Sequence, residues 1–150
     1  MMASAAIAFL HFAAVFGVFG ALLGEWLLFG RTPTVAQARQ LQQLDRLYGL
    51  SATVLLVAGG LRAYRFEKGF DYYLANPFFQ LKLALFLLVG LLSIYPTIVF
   101  IRWRNDLKAE RAPTVTARQH AWITRLLRIE LAALFAILAC ASLMAKGIGG

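Results

Sequence analysis

The sequence predicts an all-α integral membrane protein, a four-helix bundle that crosses the bilayer four times as a single domain. Of its 150 residues, 61% are hydrophobic and only 15% are charged. The mean hydropathy of +0.70 would expose large apolar patches on a water-soluble protein. The single cysteine, Cys140, excludes an internal disulfide and a cysteine-rich metal site. The lipid bilayer is therefore the first partner that the composition implies.

Four long apolar runs separated by short connections define the crossings, which we expect at about residues 4–29, 46–65, 77–103 and 117–146. Each run is long enough to span about 30 Å of hydrocarbon as a helix. Asn76 and Pro77 precede the third run as a helix N-cap and a first helical residue. Pro-Thr-Val occurs at 33–35 and again at 113–115, ahead of the second and fourth crossings. This similarity indicates either two related hairpins or two ordinary helix starts.

The distribution of Lys and Arg predicts that both termini face out of the cell, because cytoplasmic connections are enriched in these residues. The net charge of +8 lies between apolar runs and so indicates membrane orientation; no nucleic acid is expected as a partner. The segment 66–79 is rich in Phe and Tyr and is expected to lie along the outer interface. The two sides carry eight and five cations respectively: Arg31, Arg39, Arg46, Arg102, Arg104, Lys108, Arg111 and Arg118, against Arg62, Arg65, Lys68, Lys82 and Lys146.

Ionisable side chains inside apolar runs are costly unless they are paired or face a polar cavity, so each one marks a candidate site. His11 and Lys82 lie about 10 Å and 8 Å below the outer surface if their helices begin near Ser4 and at Pro77. Imidazole is a good iron ligand, and an amine binds iron when it is neutral. The pair is therefore a possible axial set for haem, with His11 as the metal ligand. Two other roles remain open: a hydrogen-bonded histidine between helices and a lysine that extends to the headgroups.

Charged residues near the cytoplasmic side form a second candidate set. We expect ion pairs between Glu25 or Glu130 and the neighbouring arginines, since unpaired charges at this depth are costly. Such a set is typical of a proton path or an anion-holding basic pocket, or simply of electrostatic stabilisation between helices. Its members are Glu25, Asp45, Arg46, Arg125, Arg128 and Glu130.

Other features narrow the possible functions. Gly20 and Gly24 have the small-xxx-small spacing that lets helices approach closely, which favours a packed bundle over a lone anchor. Gly-rich phosphate loops, Cys-x-x-Cys and His-Glu-x-x-His are absent from the sequence. The second histidine, His120, lies at the cytoplasmic entrance of the fourth crossing, far from His11. Ion or small-molecule transport is less favoured because four short crossings enclose little space.

Short motifs at the start of the crossings resemble known families. The resemblance to the HemJ type of bacterial protoporphyrinogen oxidase, and more loosely to CopD-like membrane proteins, is carried by Phe9-Leu10-His11-Phe12, Leu44-Asp45-Arg46-Leu47-Tyr48 and Leu81-Lys82-Leu83. A closer resemblance, to an uncharacterised bacterial family of small four-span proteins, is carried by Arg46-Leu47-Tyr48-Gly49-Leu50, Phe66-Glu67-Lys68-Gly69 and Ser93-Ile94-Tyr95-Pro96-Thr97.

The HemJ resemblance implies a helical bundle that holds b-type haem, with His11 and Lys82 as the functional and catalytic pair. The reaction it implies is oxidation of protoporphyrinogen IX to protoporphyrin IX, with electrons passed to quinone. Two motifs differ from that pattern: Ser93 and Tyr95 stand near an expected histidine, and Glu130 lies in a stretch without the expected proline.

Together these features predict a bacterial inner-membrane protein with periplasmic termini that binds haem b or another porphyrin between crossings one and three. Arg62 and Arg65 are available to the propionates at the outer surface. The competing hypothesis is a non-catalytic accessory or assembly subunit of a larger membrane complex. A homo-oligomer is a further expectation.

Overall fold

The computed structural model describes residues 2–66 and 74–149. Within these ranges the chain is helical and contains no strand, and four helices are long and apolar enough to cross a membrane. The predicted all-α four-helix membrane class is confirmed. The helices are α1 (Met2–Leu28), α2 (Val35–Leu61) with a π-helical turn (Arg62–Phe66), α3 (Pro77–Arg102), the short α4 (Arg104–Lys108) and α5 (Ala117–Ala145).

Helix α2 begins at Val35, about three turns before the expected start of the second crossing. The Thr34 side chain accepts a hydrogen bond from the Gln37 backbone, and the Gln37 side chain accepts one from the Thr34 backbone. This reciprocal capping box satisfies two backbone donors at the helix start. Thr116 and Gln119 cap α5 in the same way. The helix-start interpretation of the two Pro-Thr-Val sequences therefore fits, although the caps lie at different positions relative to the prolines.

The four long helices pack as two pairs, α1 with α2 and α3 with α5. Smaller contacts between α1 and α5 and between α2 and α3 close the bundle. Helices α1 and α3 lie diagonally: among the described residues, no Cα atom of α1 is within 8 Å of one of α3. The two helices that carry His11 and Lys82 therefore face each other only across the bundle.

Glycines allow α1 and α2 to approach closely, but the predicted pair is only half correct. A Cβ atom on Gly17 would lie 2.2 Å from Ser51 Oγ, and one on Gly24 would lie 2.9 Å from Leu44 Cδ1. A Cβ on Gly20 would meet nothing within 4 Å. Gly20 lies three residues after Gly17 and is turned away from α2, so the close-approach positions are Gly17 and Gly24.

The well-packed core lies toward one end of the bundle. We call this the basic end; it comprises the connections 29–46 and 102–120 and the adjacent helix turns. Its core is aromatic: Phe29 stacks on Trp103 and on His120, with ring centroids 6.4 Å and 5.6 Å apart. Phe100 packs against Trp103 at 5.0 Å. These contacts hold the last turn of α1 against the α3–α4 junction and the start of α5.

The opposite end, the terminal end, comprises the first turns of α1, the end of α2, the first turns of α3 and the end of α5. Asn76 caps α3 by accepting hydrogen bonds from the backbone N–H groups of Phe78 and Phe79 at 2.9 Å and 3.3 Å. Pro77 follows as the first helical residue, so the predicted start of the third helix is confirmed. Half of the predicted interfacial segment 66–79, namely residues 67–73 with Lys68, lies outside the described residues.

Candidate functional site

The basic end extends beyond the hydrocarbon. Helix α5 has 29 residues and is therefore ~44 Å long, against a hydrocarbon thickness of about 30 Å. If Ala145 lies at the boundary of the terminal end, the other boundary falls near Arg125, and Glu130 lies roughly 8 Å inside the hydrocarbon. This carboxyl group is therefore within the membrane-embedded part of the bundle.

Two glutamates from different helices are buried in this region. Glu25 of α1 and Glu130 of α5 are 2% and 0% exposed, respectively. Glu25 lies close enough to Asp45 and Glu130 for their charges to interact. The buried atoms Glu25 Oε1 and Glu130 Oε1 and Oε2 have no hydrogen-bond partner. A buried ionised carboxylate without a partner is very costly, so these groups require a proton or a cation.

Helices α2 and α3 supply the polar groups beside the two glutamates. Asp45 Oδ1 accepts a hydrogen bond from Thr97 Oγ1 at 2.5 Å. The Ser93 hydroxyl lies beside the buried Tyr48 phenol, one turn from Thr97 on α3. All four long helices thus contribute to one polar cluster, which we call the carboxyl cluster. Its members are Glu25, Asp45, Tyr48, Ser93, Thr97 and Glu130.

A groove connects this cluster to the surface of the basic end. Its volume is about 270 Å³, and it lies between α2 and the α3–α4 junction. Asp45 belongs both to the groove and to the carboxyl cluster. The Gln42 side chain donates to the Phe100 carbonyl oxygen at 2.5 Å, which holds the two walls together. The lining residues are Gln42, Asp45, Arg46, Phe100, Ile101 and Arg104.

The expected ion pairs of Glu25 and Glu130 do not form in the described parts of the chain, where the ion pairs are Arg39–Glu110 and Arg111–Asp106. Arg125 and Arg128 are exposed, and the Arg125 guanidinium lies 5.6 Å from the centre of the Trp122 ring. The physical reason is helical geometry: Arg128 precedes Glu130 by two residues, about 200° around the helix. The arginines therefore point away from the bundle, while Glu130 faces its interior. Of the predicted cations, Arg46 acts on the cluster through the charge of Asp45.

At the terminal end, the His11 ring packs against α2. A Cβ atom on Gly59 would lie 3.3 Å from His11 Cε1 and 3.4 Å from Nδ1, so the glycine leaves room for the imidazole. The His11 side chain is half-buried, with its ring 6.0 Å from that of Phe12. The Nδ1 edge of the ring is directed to α2.

The predicted cationic partners lie on neighbouring elements at the same end. The Arg62 guanidinium lies 5.3 Å from the centre of the ring of Phe12, and Phe12 directly follows His11 in the sequence. Lys82 Nζ lies 5.1 Å from the ring of Phe79 on its own helix. Arg65 is exposed. Arg62 therefore lies beside α1, the helix that carries His11. Lys82 lies on α3, which is diagonally opposite α1 in the bundle.

Among the described residues, no group of three or more His, Cys, Asp or Glu side chains is arranged to hold a metal ion. His120 stacks on Phe29 at the basic end, away from His11, as its sequence position indicates.

Sequence reasoning missed three members of the carboxyl cluster: Tyr48, Ser93 and Thr97. A signal was present, since Tyr48 follows Asp45 by three residues and Thr97 follows Ser93 by four, both helical spacings that place side chains on one face. The side chains of these three residues are uncharged, so the criterion of a charged side chain within an apolar run does not select them.

The fold and its polar interior define the class: an integral membrane four-helix bundle in which buried carboxyl groups from α1 and α5 lie beside the partly exposed Asp45 of α2. The family model described as Predicted membrane protein (DUF2214) matches residues 3–149, nearly the whole chain. The chain therefore belongs to this family of membrane proteins. Neither the curated proteins nor the solved structures contain a match to it.

Proposed function

We propose that this protein binds b-type haem or a related porphyrin in the terminal half of the bundle, with His11 as an axial ligand. The observation that carries the proposal is the packing of that half. The buried described residues of that half are mostly small or polar, with Val89 and Leu134 near the middle of the bundle, whereas most large buried side chains lie toward the basic end. The small or polar residues buried in the terminal half are Ala14, Ser51, Ala58, Ala63, Asn76, Ala133 and Cys140.

The donor set fits such a group. Imidazole is a common haem ligand, and packing of the His11 ring against Gly59 of α2 restricts its orientation. Arg62 is half-buried beside Phe12 and suits a carboxylate such as a propionate. Arg65 is a second, exposed candidate for that contact. Lys82 would serve as the second ligand or as a propionate partner.

The diagonal placement of α1 and α3 also favours a bridging ligand. A macrocycle held by both His11 and Lys82 would need space between their helices, and among the described residues no Cα atom of α1 lies within 8 Å of one of α3. Bound haem would supply reversible one-electron chemistry. The residues of this chain would bind and orient it and limit its contact with water.

The finer hypothesis is a HemJ-like oxidoreductase in a bacterial inner membrane, with both termini in the periplasm. In that reaction the six hydrogen atoms removed from protoporphyrinogen IX would reduce three molecules of quinone to quinol, which balances both electrons and protons. Its support is the set of short motifs at the start of the first three crossings, which resemble those of the HemJ type, together with the grouping of His11 and Arg62 at one end.

Haemin titration of the purified full chain in detergent tests the proposal. We expect a Soret shift for the wild type and an affinity lowered at least about tenfold in His11→Ala, since even the loss of a group that orients a metal ligand costs 10–100-fold. His120→Ala is the matched control and should bind like the wild type because His120 lies at the other end. Equal affinities of the two variants would overturn the assignment of His11.

Lys82→Met separates the two roles of the lysine. Loss of a ligand changes the spin state and therefore the visible spectrum, whereas loss of a propionate partner lowers affinity and leaves the spectral form intact. A wild-type protein that stays colourless when purified from haem-replete cells, binds no haemin and carries a stoichiometric partner would instead favour an accessory subunit.

A further inference from the structure

The carboxyl cluster at the basic end has no role in porphyrin binding, and its geometry requires an occupant. Glu25 and Glu130 are the most deeply buried acidic residues described, at 2% and 0% exposure. Three of their four carboxyl oxygens are buried without a hydrogen-bond partner. These atoms are directed into the bundle, where each would accept a hydrogen bond or hold a positive charge.

The surrounding charges make an ionised state of both glutamates unfavourable. Glu25 experiences the charges of Asp45 and Glu130, and Glu130 experiences that of Asp45. Helix α2 contributes Asp45, Arg46 and Tyr48 to this region, and the charge of Arg46 acts on Asp45. Helix α3 contributes only the neutral hydroxyl groups of its Ser93 and Thr97. Two carboxylates that face each other in a low-dielectric interior cannot both ionise cheaply.

The nature of the occupant follows from the ligand count. In the described parts of the chain, His, Cys, Asp and Glu side chains form no group of three that would hold a metal ion. A proton needs only one carboxyl oxygen, and it converts that oxygen to a donor for its neighbour. The geometry therefore favours protons over a chelated metal ion.

Access from the aqueous side runs through the groove at the basic end. Asp45 lines this groove and is also held by Thr97 inside the bundle. It is partly exposed, in contrast to Glu25 and Glu130. A proton from water in the groove therefore meets the Asp45 carboxylate before it reaches either glutamate.

From this geometry we infer that Glu25 and Glu130 form a proton-binding pair inside the bundle, loaded from the basic end through Asp45. In the loading step, hydronium transfers a proton to Asp45, and Asp45 transfers a proton to a glutamate oxygen and regains its charge. One O–H bond forms and one breaks at each transfer, and no electron is exchanged. This inference stands independently of haem binding.

Infrared spectroscopy of the full chain in lipid nanodiscs tests the proposal. At pH 7 the wild type should show the carbonyl stretch of protonated carboxylic acids, with the downshift that D₂O exchange produces. Glu25→Gln and Glu130→Gln should each lower this band, and the double variant should lose it. Glu110→Gln, which removes an exposed glutamate of the basic end, is the matched control and should leave the band unchanged.

Asp45→Asn tests the route separately. The band should remain, but its rate of hydrogen–deuterium exchange should fall compared with that of the wild type and Glu110→Gln. An unchanged exchange rate would exclude Asp45 as the entry.

Absence of the band in the wild type at pH 7 would overturn the proton-binding pair without any need for a variant. Sodium-dependent loss of the band, measured with sodium chloride against choline chloride, would assign the pair to a metal cation and would likewise overturn it.

Discussion

Substitution of Gly17 by alanine should weaken the contact between α1 and α2. The added Cβ would lie 2.2 Å from Ser51 Oγ and 2.9 Å from Ser51 Cβ. Rotation of the Ser51 side chain moves Oγ away but leaves Cβ in place, so the two helices must separate. Overpacking of this kind costs about 1–3 kcal/mol. We therefore expect Gly17→Ala to have a free energy of unfolding lower than that of Gly20→Ala by about that amount.

Gly20→Ala is the matched control on the same helix. A Cβ at Gly20 meets nothing within 4 Å, and alanine is favoured over glycine inside a helix by about 0.5–1 kcal/mol. The sign of the change should therefore be opposite for the two variants. Reversible unfolding in mixed micelles with increasing dodecyl sulfate, followed by circular dichroism, measures both.

A double-mutant cycle tests whether the Ser51 Cβ atom causes the loss of stability in Gly17→Ala. Ser51→Gly removes the Cβ that Gly17→Ala would meet, so the double variant should recover most of the lost stability, with a coupling energy of about 1 kcal/mol or more. If Gly17→Ala were as stable as Gly20→Ala, the close approach of α1 and α2 at this position would be refuted.

Three further predictions concern helix caps and the histidine pocket. Asn76→Ala should lower unfolding stability by about 1 kcal/mol, because the side chain caps two N–H groups of α3; the exposed Asn105→Ala is its control in the same unfolding assay. Thr116→Ala should cost about 1 kcal/mol through loss of the α5 capping box, whereas Thr114→Ala, outside the cap, should change little. If haem binds as proposed, Gly59→Ala should weaken haemin binding because its Cβ crowds the His11 ring at 3.3 Å, whereas Gly60→Ala, which meets nothing within 4 Å, should not.

The four spans and the start of α3 could be read from the sequence because they depend on local properties. A run of about 20 apolar residues has few alternatives to a membrane helix, since every backbone polar group must be satisfied inside the bilayer. Asn76 and Pro77 act on their own helix, so their roles needed no knowledge of its neighbours.

The start of α2 could not be found from apolar content alone. Its first turns are polar, and contacts from residues distant in the sequence support them. Arg39 donates to the Leu107 carbonyl oxygen at 3.0 Å and pairs with Glu110. The capping signature of Thr34 and Gln37 was present in the sequence and marks this start better than hydropathy does.

The predicted ion pairs were wrong because the prediction considered how deep each side chain lies in the membrane but not which face of its helix it occupies. Arg125 and Arg128 have nearly the right depth to meet Glu130, but they lie on other faces of α5. The angular positions were available from residue spacing. For the glycines, the second close-approach position is Gly17, which lies almost two full turns before Gly24 and so points in nearly the same direction, whereas Gly20 is offset from both.

The visible spectrum of the purified protein, with metal and porphyrin analysis, tests the proposed function most directly. Full-length protein from haem-replete cells should show a Soret band and a pyridine haemochrome of b type, and His11→Ala should lose both while His120→Ala keeps them. A colourless wild-type protein without iron or porphyrin would contradict the account.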